Sequence, residues 1–194
     1  MKGLLFNVLE EVVASEHGDD AWDELLETAE LDGAYTSLGS YPDEQMTQLI
    51  RAAGTLFGRP ADEVLRHFGR RALPIFAKRF PALFEGRRST RDILVALNSI
   101  IHPEVRKIYP GAEVPSFDFH TSTLGQLIMG YASSRRLCLF AEGLIEGCAD
   151  LFEEHLSVQQ SLCVRKGNAI CLFVVSFDRT ERIPLRSVPA AAKS

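Results

Sequence analysis

The sequence predicts an α+β fold, a helical N-terminal subdomain packed on a C-terminal subdomain with an antiparallel β-sheet and a long helix. Three observations predict it. Apolar residues recur at three- and four-residue spacing through the first hundred positions, strand-like segments begin only after Pro110-Gly111, and an apolar stretch of helical length divides those segments into two pairs. With 194 residues, 46% of them hydrophobic, a single domain can hold a core large enough to surround a buried ligand.

Leu5, Leu9, Val12 and Val13, then Trp22, Leu25, Leu26 and Ala29, predict two short amphipathic helices broken at Gly18. Pro42 and Pro60 each precede an acidic turn and an apolar stripe, as at helix starts. A further segment, Leu73 to Phe80, ends at Pro81. Thr90 is placed to cap a helix through Ile93, Leu94 and Leu97 that breaks at Asn98-Ser99. Pro103 is tolerated only in a first turn, so His102 is expected at the start of a new short helix reaching about Tyr109. Val114–Phe119 and Gln126–Ser133 read as strands and Leu137–Leu156 as the long helix. Val158–Val164 and Ala169–Phe177 read as a hairpin turning at Gly167-Asn168. Residues 178–194 are polar with two prolines and are expected to form a flexible tail.

The formal net charge of -5 is the wrong sign for a phosphate-backbone binder, so no nucleic-acid partner is expected. No stretch is apolar for long enough to cross a membrane, and the start is too short for a leader, so a cytoplasmic protein is expected. There is no phosphate loop and no complete nucleophile, base and orienter set, so catalysis is not expected.

A lone histidine is more often structural than a ligand. His102 stands apart because Ile100, Ile101, Val105 and Ile108 surround it, and a neutral imidazole turned toward that apolar surface can bind iron. Tyr131, Ser133 and Arg135 are spaced two apart, so in an extended segment their hydroxyls and guanidinium converge on one side, where they suit paired carboxylates. Further landmarks are Met1-Lys2-Gly3 with Phe6-Asn7, the run from Phe80 to Arg88, Pro115 thirteen residues after His102, and Glu142-Gly143-Leu144-Ile145-Glu146-Gly147.

In this combination, order and spacing the chain resembles the haem nitric oxide/oxygen-binding (H-NOX) family, related to the haem domain of soluble guanylate cyclase. The resemblance implies one domain over residues 1–177, with a distal helical subdomain (1–60) and a mixed proximal subdomain (61–177) enclosing haem b. His102 is then the axial iron ligand, Tyr131, Ser133 and Arg135 hold the propionates, and Pro115 presses on the porphyrin. Leu5, Leu9, Phe76, Phe140 and Leu144 are the expected distal residues. Oxygen-binding relatives carry a tyrosine where Phe140 stands, so the resemblance implies a ferrous site that takes nitric oxide and carbon monoxide but excludes oxygen. With no effector segment in these residues, it implies output to a separate protein, such as a histidine kinase or a cyclic-di-GMP enzyme.

The hairpin would make Cys163 and Cys171 cross-strand neighbours, with Cys138 on the long helix above them. Some bacterial relatives hold zinc there with three cysteines and a histidine; here Gln160 takes the histidine's place, and His155 would have to reach in. A zinc site, redox-active thiols and inert buried thiols all remain open, and a thiol- or zinc-based redox sensor is the alternative to gas sensing. Cys148 matches no motif.

Overall fold

The computed structural model describes residues 1–122 and 125–178, and the expected flexible tail lies outside them except for Asp178. The fold is α+β. In chain order come α1 (Gly3–His17), α2 (Asp20–Ala29), α3 (Asp43–Leu56), α4 (Ala61–Arg79), α5 (Pro81–Phe84) and α6 (Thr90–Ala96). A π-helical turn (Leu97–Ile101) then runs directly into α7 (His102–Ile108). Strands β1 (Ser116–Thr121) and β2 (Leu127–Ala132), helix α8 (Cys138–Phe152), and strands β3 (Leu156–Leu162) and β4 (Cys171–Phe177) complete it. No helix among the described residues is long and apolar enough to cross a membrane.

The sheet is antiparallel in the order β1-β2-β4-β3, so Tyr131 on β2 is flanked by Phe117 on β1 and Cys171 on β4. The stripes of α1 to α3 meet the first half of α4 in one core, with Phe6, Leu25 and Leu49 fully buried. A second core lies between the sheet and α8, around Leu127, Met129, Ile145 and Phe173. Leu73, Ile93 and Cys148 form a third where α4, α6 and α8 meet.

The structure corrects four local expectations. The two segments after Pro60 are one helix, α4, with Pro74 inside it. Proline removes the N–H that would bond the carbonyl of Arg70, and that carbonyl lies against Gly147 of α8, where a Cβ would come within 2.6 Å of it. Ser89, not Thr90, caps α6: its hydroxyl accepts the Asp92 N–H at 3.1 Å, while Thr90 is already helical and gives its backbone N–H to Glu154. The polar pair Asn98-Ser99 does not break the helix but lies in the π-helical turn, so His102 sits at a junction between two helical geometries. Helix α8 stops at Phe152, because Glu153 takes a left-handed conformation (φ 54°) that frees Leu156 to begin β3.

Candidate haem site

A cavity of about 470 Å³ opens between the N-terminal helices, α6 to α7, the sheet and α8, within the ~300–1,000 Å³ range of cofactor pockets. One wall comes from α4 and α8, which pack through glycines: a Cβ on Gly143 would lie 1.9 Å from the Arg66 carbonyl and one on Gly69 2.2 Å from that of Phe140. This contact presents Phe76, Phe140 and Leu144 to the cavity, and Leu5 joins them from the first turn of α1. None of these four side chains carries a hydrogen-bond donor.

His102 lines the same cavity from the start of α7. Burial lowers its pKa from the ordinary 6.5 to about 4; the Arg106 charge adds to that, and a hydrogen bond to the Pro115 carbonyl opposes it. The imidazole is therefore neutral near pH 7. Giving its N–H to Pro115 leaves the other ring nitrogen with a free lone pair, as a metal-binding histidine needs. The ring stacks on Phe117 with centroids 5.6 Å apart.

The third group gathers at one edge. Tyr131, Ser133 and Arg135 all line the cavity, although only Tyr131 lies in a strand; β2 ends at Ala132 and a turn carries the other two. Burial pushes the Tyr131 hydroxyl up to about 12, so it stays protonated beside Ser133. Arg135 reaches across the molecule, with Nε 2.9 Å from Asp43 Oδ2 and Nη2 3.1 Å from Glu113 Oε2. Asp43 also pairs with the Met1 amine at 2.8 Å. A neutral histidine facing an apolar slot, with two hydroxyls and a guanidinium at the rim, is a donor set that fits a haem: iron to His102, apolar macrocycle to the walls, propionates to the rim.

With this geometry in place, comparison with known proteins is decisive. Residues 2–160 match the Haem-NO-binding family. The chain belongs to that family. It is 28% identical to an H-NOX protein from S. oneidensis solved in the Fe(II)NO ligation state, with a TM-score of 0.86 over 91% of this chain and 99% of that one. The Fe(II) unliganded H-NOX protein from K. algicida is 26% identical, with a TM-score of 0.82 over 93% and 98%. A mutant of the T. tengcongensis H-NOX, 24% identical with a TM-score of 0.80 over 92% and 98%, shares the fold.

Of the H-NOX residues expected from the sequence, Leu9 alone does not line the cavity. By its second turn α1 has passed the cavity, and Leu9 is 2% exposed in the core with α2 and α3. Among the contributors that the sequence did not single out, three matter most for the chemistry. Cys148 lines the cavity four residues beyond Leu144, and that helical spacing could have revealed it. Tyr109, at the end of α7, lines it too. Asp43 reaches Arg135 from a distance in sequence that no local pattern spans.

Behind α8, the sulfurs of Cys138, Cys163 and Cys171 lie within 4.8 Å of one another, Cys138 and Cys163 at 3.8 Å. His155 is exposed ahead of β3 and outside this group, while the Gln160 amide nitrogen is buried near Cys138 without a hydrogen-bond partner. Burial pushes the Cys138 thiol up to about 12. Cys163 goes the other way: burial opposes it, but the Arg165 and Lys166 N–H groups and the two neighbouring thiols together lower its pKa.

Proposed function

We propose that this chain is a haem-based gas sensor that binds nitric oxide at a ferrous, His102-ligated haem b and signals to a separate protein. What carries the reading is that one cavity pairs a neutral His102 with Leu5, Phe76, Phe140 and Leu144, four side chains that offer no donor. When bound, ferrous haem would supply an open coordination position for a gas ligand. The four apolar residues give bound oxygen no hydrogen bond, and so favour nitric oxide and carbon monoxide.

Tyr131, Ser133 and Arg135 would hold the propionates, and Pro115 would press on the macrocycle. With haem bound, His102 would hold the iron, and its release on nitric oxide binding would let α7 shift and the distal (1–60) and proximal (61–177) parts adjust. The output is a change in contact with a partner in the cytoplasm, such as a histidine kinase or a cyclic-di-GMP enzyme, rather than catalysis by this chain.

Absorption spectra of the reduced protein test this. No oxygenated species is expected in air, and a five-coordinate nitrosyl is expected with nitric oxide. An oxygenated spectrum overturns ligand discrimination, and a six-coordinate nitrosyl persisting at equilibrium overturns histidine release.

The three clustered thiols favour a second reading, a thiol- or zinc-based redox sensor. Metal analysis after chelator-free purification tests it: no zinc and four titratable thiols remove the metal.

A further inference from the structure

We propose that Asn98 is the positioning residue for His102: its amide ties the π-helical turn to the open edge of β1 and thereby sets how readily the histidine leaves the iron. The inference rests on the histidine-release reading above and deepens it.

The tether is a two-point match. Asn98 Nδ2 donates to the Phe117 carbonyl at 2.5 Å, and the Phe117 N–H donates to Asn98 Oδ1 at 3.3 Å. Among the described residues β1 is paired only with β2, so the Asn98 amide takes the place of a missing strand neighbour at Phe117. A π-helical turn is uncommon and is retained only where its surroundings favour it over ordinary helix. Packing supplies only part of that here: Leu97 and Ile101 rest half-buried against the neighbouring cores, and no residue from Leu97 to Ile101 is fully buried. The Asn98 pair is the side-chain tether of this turn among the described residues.

The tether also ends where His102 is held. Phe117 carries the ring that stacks on the imidazole, and Pro115, two residues earlier, accepts the imidazole N–H. Turn, strand edge and imidazole thus form one closed unit, with Asn98 four residues before His102. Without Asn98 the turn is free to tighten. Tightening the turn by one residue would rotate the rest of the helix by about 100°, which would turn the imidazole away from Phe117 and Pro115.

The test compares haem-loaded wild type with Asn98→Ala, Asn98→Asp and Ser99→Ala. The readouts are the iron–histidine stretching band of the reduced protein, amide hydrogen exchange at Phe117, and the five-coordinate fraction of the nitrosyl. For Asn98→Ala we expect about tenfold faster Phe117 exchange, a lower stretching frequency and a larger five-coordinate fraction. Asn98→Asp keeps the acceptor for the Phe117 N–H but not the donor to its carbonyl, so it should fall between. Should Asn98→Ala not retain haem, Asn98→Asp carries the comparison. Ser99→Ala, in the same turn without the tether, should match wild type. An unchanged stretching band and exchange rate in Asn98→Ala overturn the proposal, as does a Ser99→Ala effect of equal size. A wild-type nitrosyl that stays six-coordinate counts against histidine release alone, while band and exchange still decide the tether.

Discussion

The two walls of the cavity are built in opposite ways. On one side α4 and α8 approach until backbone touches backbone at Gly69, Gly143 and Gly147, and Arg66 and Arg70 reach across to Glu142, Glu146 and Asp150. On the other, the π-helical turn and α7 contain no buried residue, and Ile100 and Ile108 are each 43% exposed. A wall that cannot shift without steric overlap serves as a reference frame, whereas one held by a few directional contacts can take a second position. His102, the proposed iron ligand, sits on the second wall, and the apolar residues proposed to select the gas sit mainly on the first.

The sharpest way to break this comparison is to force the first wall apart. Gly143→Ala sets a methyl group 1.9 Å from the Arg66 carbonyl and should cost about 3 kcal/mol or more, read by denaturant unfolding. A loss below ~1 kcal/mol would show that the wall yields.

Acid tests the second wall. His102 takes up its proton near pH 4 when folded, against 6.5 in the unfolded chain, so the unfolded state gains the proton first. Haem-free protein should keep this contribution above pH 6.5 and lose on the order of 2 kcal/mol, allowing for partial exposure, as pH falls toward 4. His102→Gln should flatten that part of the pH profile; an unchanged slope would assign it to other groups.

Phe140→Tyr places a hydroxyl on the rigid wall, where it is held in position. Oxygen affinity should rise at least about tenfold, the worth of one hydrogen bond, and an oxygenated spectrum should appear in air. If it does not, the wall fails to aim its side chains at the iron. The smallest effect belongs to the more exposed side: Ile108→Ala should change unfolding stability by less than ~0.5 kcal/mol. A larger loss would mean that α7 is packed after all.

Much of the fold was legible in the sequence because burial imposes periodicity. The stripes of α1, α2 and α3 and the strands all fall within a few residues of their expected positions. Where the reading failed, a neighbour distant in sequence decided the outcome. Leu73 to Phe80 reads as a separate segment, yet α4 runs through Pro74 because α8 covers the carbonyl that the proline orphans. Asn98-Ser99 reads as a stop, yet the edge of β1 accepts the Asn98 amide. At the site, His102, Pro115, Tyr131, Ser133 and Arg135 were named from spacing and resemblance, whereas Leu9 was misplaced because helical phase alone does not tell one core from another.

The sequence by itself determined the chemical inventory: one histidine in an apolar setting, a hydroxyl and guanidinium cluster, a phenylalanine where a donor would change the ligand, and three cysteines spaced to meet. Those are properties of side chains and of local periodicity. Only the tertiary structure decided that the histidine is neutral, that its N–H goes to Pro115, and that it sits on the less tightly held of two walls. Burial, electrostatics and close packing are set by residues far apart in the chain, and no window along the sequence contains them.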